Sequence, residues 1–81
     1  MTWYLYIIET INDKLYTGIT KDLDRRFNEH LNGKGARFTK ANPPKNIVYT
    51  ELYKTRSEAS KREYEIKKLS RKDKELLITS Q

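Results

Sequence analysis

From Trp3 to Ile8 nearly every position is apolar or aromatic, with Trp3, Leu5 and Ile7 on one alternating face and Tyr4, Tyr6 and Ile8 on the other. Such density of aromatic and β-branched residues predicts a strand over Trp3 to Glu9. Apolar character on both faces predicts a strand covered on both sides. Asn12 and Asp13 supply turn chemistry within Thr10 to Lys14. Alternation resumes from Leu15 to Ile19, so the two runs read as an antiparallel hairpin. With the register in phase, Tyr6, Tyr16 and Gly18 share one face, while Leu15 and Ile19 take the other.

The period then lengthens. Leu23, Phe27 and Leu31 recur at four-residue spacing, which predicts a helix over Asp22 to Asn32 with these residues as its apolar stripe. Thr20 or Asp22 can cap its start, where Asp22 and Asp24 complement the helix dipole. Gly33 is placed to end it. In this phase Arg26 and His30 fall on the border between core and solvent, and Arg25 and Glu29 point outward. The following loop runs into Asn42-Pro43-Pro44, which predicts no regular structure there. Ile47 to Tyr53 reads as a third strand. Thr55 and Glu58 form a capping box for a helix to about Leu69, with Ala59, Ile66 and Leu69 inward and Glu63 among them. Ser70 and Asp73 can start a last short helix holding Leu76, Leu77 and Ile78. The order β-β-α-β-α-α, without repeat or linker, predicts a single α+β domain over residues 1–81, a small three-stranded antiparallel sheet with helices packed on it.

Composition bounds what such a domain can do. Eighty-one residues allow a modest core. Cysteine is absent, so neither a disulfide nor a cysteine-based metal cluster can form, which fits a reducing compartment. The apolar runs are too short to span a bilayer, and Met1-Thr2-Trp3 does not open a secretion signal. The expectation is a soluble, cytoplasmic protein with no membrane partner. The net charge is +6 and unevenly spread. Asn32 to Asn46 carries Lys34, Arg37, Lys40 and Lys45 with no acid at all. Such a stretch, with Gly33 and Gly35 in it, can approach a phosphate backbone closely. A solvated, solubilising loop is the other reading, and composition leaves both open.

A few side chains stand out for chemistry. Of six tyrosines, Tyr49, Tyr53 and Tyr64 suit packing with their hydroxyls in water, whereas Tyr6 and Tyr16 converge beside a glycine. Arg26, on the edge of the apolar stripe, offers a guanidinium fork that matches phosphate oxygens, while Arg25 reads as solvated. His30 is the sole histidine, so a multi-histidine metal site is excluded. Glu63 lies in phase with Ala59 and Ile66. A carboxylate facing a core is costly unless it is paired or holds a cation. A surface ion pair with Arg62 or Lys67 is the alternative.

In order and spacing, Tyr4-Leu5-Tyr6, Leu15-Tyr16-Thr17-Gly18, Asp24-Arg25-Arg26-Phe27-Asn28-Glu29-His30 and Arg62-Glu63 resemble the GIY-YIG nuclease family. The likeness runs from about Trp3 to Leu69 and is closest to the stand-alone single-domain bacterial group. The first motif reads Tyr-Leu-Tyr where Gly-Ile-Tyr is typical, and the second Tyr-Thr-Gly where Tyr-Ile-Gly is typical. The resemblance implies an endonuclease that hydrolyses phosphodiester bonds in nucleic acid, DNA ahead of RNA, with magnesium or manganese. It implies Tyr16 as general base with Tyr6 ordering its proton network, and Arg26 on the scissile phosphate. His30 would order water or relay a proton, and Glu63 would hold a single divalent metal ion. A phenol titrates near ~10, so a basic Tyr16 needs nearby positive charge, from Arg26, the metal or Lys21. Lys21 joins Lys34, Arg37, Lys40 and Lys45 in the expected nucleic-acid surface. A monomer is expected. The alternative is a non-catalytic nucleic-acid-binding module with the same fold.

Overall fold

The computed structural model describes residues 2–80. Its elements are β1 (Trp3–Thr10), β2 (Leu15–Thr20), α1 (Leu23–Leu31), α2 (Arg37–Ala41), β3 (Pro44–Tyr53), α3 (Arg56–Lys67) and α4 (Arg71–Thr79). The strands form one antiparallel sheet in the order β2-β1-β3. The fold is therefore the expected α+β arrangement, with one short helix, α2, added where an irregular loop was expected. Pro44, also expected to lie outside regular structure, is the first residue of β3 and pairs with Thr10. A proline is tolerated at a strand's start on a sheet edge, where its missing N–H breaks no ladder bond.

Central β1 is covered on both sides, as its doubly apolar pattern requires. On one face Leu5 and Ile7 form the core with Ile66 of α3, and Leu15, Ile19, Leu69, Leu77 and Ile78 close around them. On the other face Tyr6 and Ile8 lie under Leu23 and Phe27 of α1, next to Ile47. Pairing of Tyr6 with Gly18 and of Ile8 with Tyr16 puts Tyr6, Tyr16 and Gly18 on the α1 face.

The expected caps are present. Asp22 accepts from the Arg25 amide at 3.1 Å, Thr55 from the Glu58 amide at 3.2 Å, and Ser70 from the Asp73 amide at 3.1 Å. Gly33 takes the left-handed conformation at φ 73° and reverses the chain after α1. The Gly33 amide donates to the His30 carbonyl at 3.1 Å and the Lys34 amide to the Glu29 carbonyl at 2.8 Å. That paired hydrogen bonding is the Schellman closure. It turns residues 34–41 back over the end of α1.

Two details depart from the sequence expectation on α1. Leu31 is exposed, although it was expected on the apolar stripe of α1, and Leu76 of α4 is exposed as well. His30, expected at the solvent border, is fully buried instead. The returning segment covers the flank of α1 that carries His30 and leaves Leu31 open.

Tyr49 and Tyr53 also differ from expectation, because their hydroxyls do not reach for water. Both donate to Glu51, Tyr53 at 2.6 Å. Arg62 of α3 clasps the same carboxylate, with Nε 2.9 Å from Oε1 and Nη2 3.1 Å from Oε2. This cluster ties α3 to β3, so Arg62 is not available to Glu63.

Candidate active site

The site is assembled on the α1 face of the sheet. Gly18 has no side chain, and the Tyr6 ring lies across it. A Cβ at Gly18 would stand 2.6 Å from Tyr6 Cζ and 3.2 Å from a Tyr16 ring carbon. The glycine of the second motif is thus required by the tyrosine of the first.

Tyr6 heads a buried hydrogen-bonded chain. Its hydroxyl is 2.9 Å from His30 Nε2, and His30 Nδ1 is 2.6 Å from Thr39 Oγ1. The Thr39 hydroxyl donates to the Ala36 carbonyl at 3.2 Å. It therefore accepts from His30 Nδ1–H, which leaves Nε2 unprotonated and makes the Tyr6 hydroxyl the donor to it. Burial, helped by the adjacent Arg26 charge, lowers the His30 pKa below the ordinary 6.5, which holds the ring neutral. Burial pushes the Tyr6 hydroxyl up to about 12, against the pull of Arg26. Tyr6 is therefore held as a neutral phenol that donates a hydrogen bond to a neutral His30. His30 is 1% exposed and Tyr6 2% exposed, so the pair is shut off from bulk water.

Tyr16 is placed differently. Its ring packs edge-on against His30 at 5.1 Å between centroids and tilts against Tyr6 at 6.3 Å. Among the described residues its hydroxyl has no hydrogen-bond partner, and the side chain is half-buried. Of the two phenols, it is the one free to bond an incoming water.

Arg26 is half-buried, with Nη1 3.0 Å from Glu29 Oε1 and Nη2 donating to the Gly35 carbonyl at 2.8 Å. These bonds aim its guanidinium and still leave donors on the fork for an anion. Arg25 is 78% exposed and only loosely paired with Glu29, as its outward phase predicts. Glu63 lies on α3 with a side-chain exposure of 24%. Its carboxylate pairs with Lys67 at 3.2 Å, the ion-pair partner that the sequence offered as the alternative to a metal.

The residues can be tested for fit to a divalent ion. No cluster of three or more potential ligands exists among the described residues. A magnesium ion here would rest on the Glu63 carboxylate and complete its shell with waters and substrate oxygens, which suits that metal. Lys67 is a flexible, solvent-exposed partner that an ion can displace. The donor set fits.

The basic residues divide between separate places. Lys34, Arg37 and Lys40 are exposed on the segment that returns over α1, and none pairs with a carboxylate among the described residues. Lys21 lies over the Trp3 ring, 5.2 Å from its centroid, and lines an open groove of about 360 Å³ with Trp3, Arg25 and Arg26. Lys45 borders a separate hollow with Asp24, Phe27 and Asn28, on the flank of α1 turned away from Arg26.

Gly35 and Thr39 are site residues that sequence reading missed. A Cβ at Gly35 would overlap the His30 imidazole, so this glycine serves the histidine rather than a phosphate backbone. The sequence holds no signal for Thr39, because its contact with His30 arises only when the chain doubles back.

The GIY-YIG catalytic domain family matches residues 2–76. A UPF0213 protein of Staphylococcus saprophyticus is 49% identical over 76 residues, covering 94% of this chain and 93% of its own. A UPF0213 protein of Cupriavidus necator is 52% identical over 68 residues, covering 84% and 74%. Among solved structures, the solution structure of a UPF0213 protein from Bacillus halodurans shares 42% identity with a TM-score of 0.65, covering 100% of this chain and 86% of that one. A protein from E. faecalis shares 37% identity with a TM-score of 0.67, covering 99% and 85%. With its buried tyrosine–histidine pair seated on the second-motif glycine, and with this match over nearly its whole length, the chain belongs to the GIY-YIG family.

Proposed function

We propose that this domain is a divalent-metal-dependent endonuclease acting on nucleic acid, with DNA as the favoured substrate. The observation that carries the reading is the division of labour between the two phenols. Tyr6 is committed to His30, while Tyr16 stands beside it with an uncommitted hydroxyl. In this reading Tyr16 takes the proton of the attacking water and Tyr6 with His30 holds the ring geometry. Arg26 steadies the charge that develops on the phosphate oxygens. Glu63 would hold magnesium or manganese, which when bound supplies charge neutralisation at the leaving oxygen. Lys34, Arg37, Lys40 and Lys21 would bind phosphates on either side.

A second reading, a nucleic-acid-binding module without turnover, draws on the Glu63–Lys67 ion pair, which satisfies the carboxylate without an ion. A cleavage panel separates the two. Duplex, single-stranded and branched substrates are incubated with magnesium or manganese, comparing wild type with Tyr16→Phe. Metal-dependent cutting that Tyr16→Phe loses supports the enzyme. Binding without cutting of any substrate supports the module.

A further inference from the structure

Phe38 is an aromatic residue that phosphodiester hydrolysis leaves without a role. It sits on α2, and its ring stacks on Tyr16 with 5.8 Å between centroids and 25° between planes. Tyr16 in turn meets the edge of His30 at 5.1 Å. The rings form a column that begins in the buried network and ends at Phe38, which is 37% exposed. The same returning segment carries Lys34, Arg37 and Lys40, all exposed and without carboxylate partners among the described residues. No acid lies between Asn32 and Asn46 to neutralise them.

An exposed aromatic ring on a segment rich in unpaired cations, stacked on the site tyrosine, matches how single-stranded nucleic acid is bound. Contact with a duplex backbone needs the cations but gains nothing from an open ring, because paired bases already stack on one another. Tyr64 is 63% exposed but carries Lys68 over its ring at 4.1 Å, and the half-buried Trp3 carries Lys21 and Arg56, at 5.2 Å and 5.8 Å.

We infer that Phe38 stacks an unpaired base next to the phosphate held at Arg26, so that the domain engages nucleic acid at single-stranded segments or at junctions with an unpaired nucleotide. This rests on the reading above that the face takes nucleic acid, and it names the substrate class.

The test uses the fact that the chain has one tryptophan. In the double variant Trp3→Phe, Phe38→Trp, the reporter stands at the proposed stacking position. It is titrated in EDTA with oligothymidine and, separately, with a blunt duplex of equal length. Anisotropy of labelled nucleic acid follows binding independently. Saturable quenching by the single strand, with little by the duplex, is expected. No quenching at saturation, or equal quenching by both, overturns the proposal. Phe38→Ala should weaken single-strand binding about 5- to 150-fold, and Phe38→Tyr should restore it. Melting curves establish that each variant is folded, and a folded Phe38→Ala with wild-type affinity also overturns the proposal. These readouts need no metal. Binding with quenching but no cleavage would retire the hydrolytic reading and leave the role of Phe38 standing. Failure to bind either nucleic acid would retire both.

Discussion

Gly35 lies against the His30 imidazole so closely that a methyl group in place of its hydrogen would overlap the ring. Its carbonyl also accepts from Arg26 at 2.8 Å. One residue therefore sets the position of both a buried histidine and a half-buried arginine. Gly35→Ala should displace the imidazole from Tyr6 and Thr39. The expected cost is about 1–3 kcal/mol, the usual penalty for overpacking a filled interior. Thermal melting measures it, and the His30 ring resonances in NMR should shift with it. A stable Gly35→Ala with unchanged His30 resonances would contradict this close packing.

Arg26 and Arg25 are neighbours with different prospects. Arg26→Ala should lower cleavage by about 10²–10³, the scale for losing a preorganised donor to developing charge. Arg25→Ala removes an exposed side chain and should weaken binding modestly at most. Because Arg26 also ties down Gly35, melting must accompany the assay. A loss of activity explained by unfolding would not count for a phosphate role.

Glu63→Gln tests the metal directly. Its pair with Lys67 is partly exposed, so stability should change by no more than about 1 kcal/mol. Metal binding and metal-dependent cleavage should disappear. Lys67→Ala should leave metal affinity equal or tighter, since it removes the competing cation. Wild-type cleavage in Glu63→Gln would leave only the ion pair as the role of this carboxylate.

The basic returning segment should show itself in salt dependence. A cation that neutralises a phosphate releases a counterion, so deleting one such cation should lower the magnitude of the slope of log affinity against log salt by roughly 1. Lys34→Ala with Arg37→Ala should therefore flatten the slope by roughly 2 if both touch phosphate. An unchanged slope would remove them from the footprint.

Stability should fall with acid in two stages. His30 has a folded pKa below the ordinary 6.5, chiefly through burial. A depressed pKa means its contribution is present above 6.5 and shrinks as pH falls below that value. Burial alone would raise the Glu51 carboxyl, but hydrogen bonds from Arg62, Tyr49 and Tyr53 outweigh it and hold the pKa below 4.5. Its contribution is therefore present above 4.5 and lost as pH falls further. On the alkaline side, burial and the Glu51 charge push Tyr53 up to about 12, so its contribution is complete below pH 10 and lost as pH rises towards 12. Melting temperature against pH gives the profile, and Glu51→Gln should flatten the lowest limb.

Local pattern was enough to place the hairpin, the caps at Thr55 and Ser70 and a cap at Thr20 or Asp22, and, with the strands in phase, the shared face of Tyr6, Tyr16 and Gly18. Each rests on residues close in the chain, where periodicity and capping chemistry act without help. Helical phase, together with motif spacing, singled out Arg26 over Arg25, and the outward phase of Arg25 is matched by its exposure. Tertiary structure decided what depends on the chain returning to itself. His30 is buried rather than half-exposed because residues 34–41 fold back after Gly33 and bring Gly35 and Thr39 onto it. Phe38 reaches Tyr16 by the same route. Glu51 recruits Arg62 across the sheet–helix boundary and so leaves Glu63 to Lys67. Partner choice among charged side chains is a competition in space, and residue order along the chain carries little information about it.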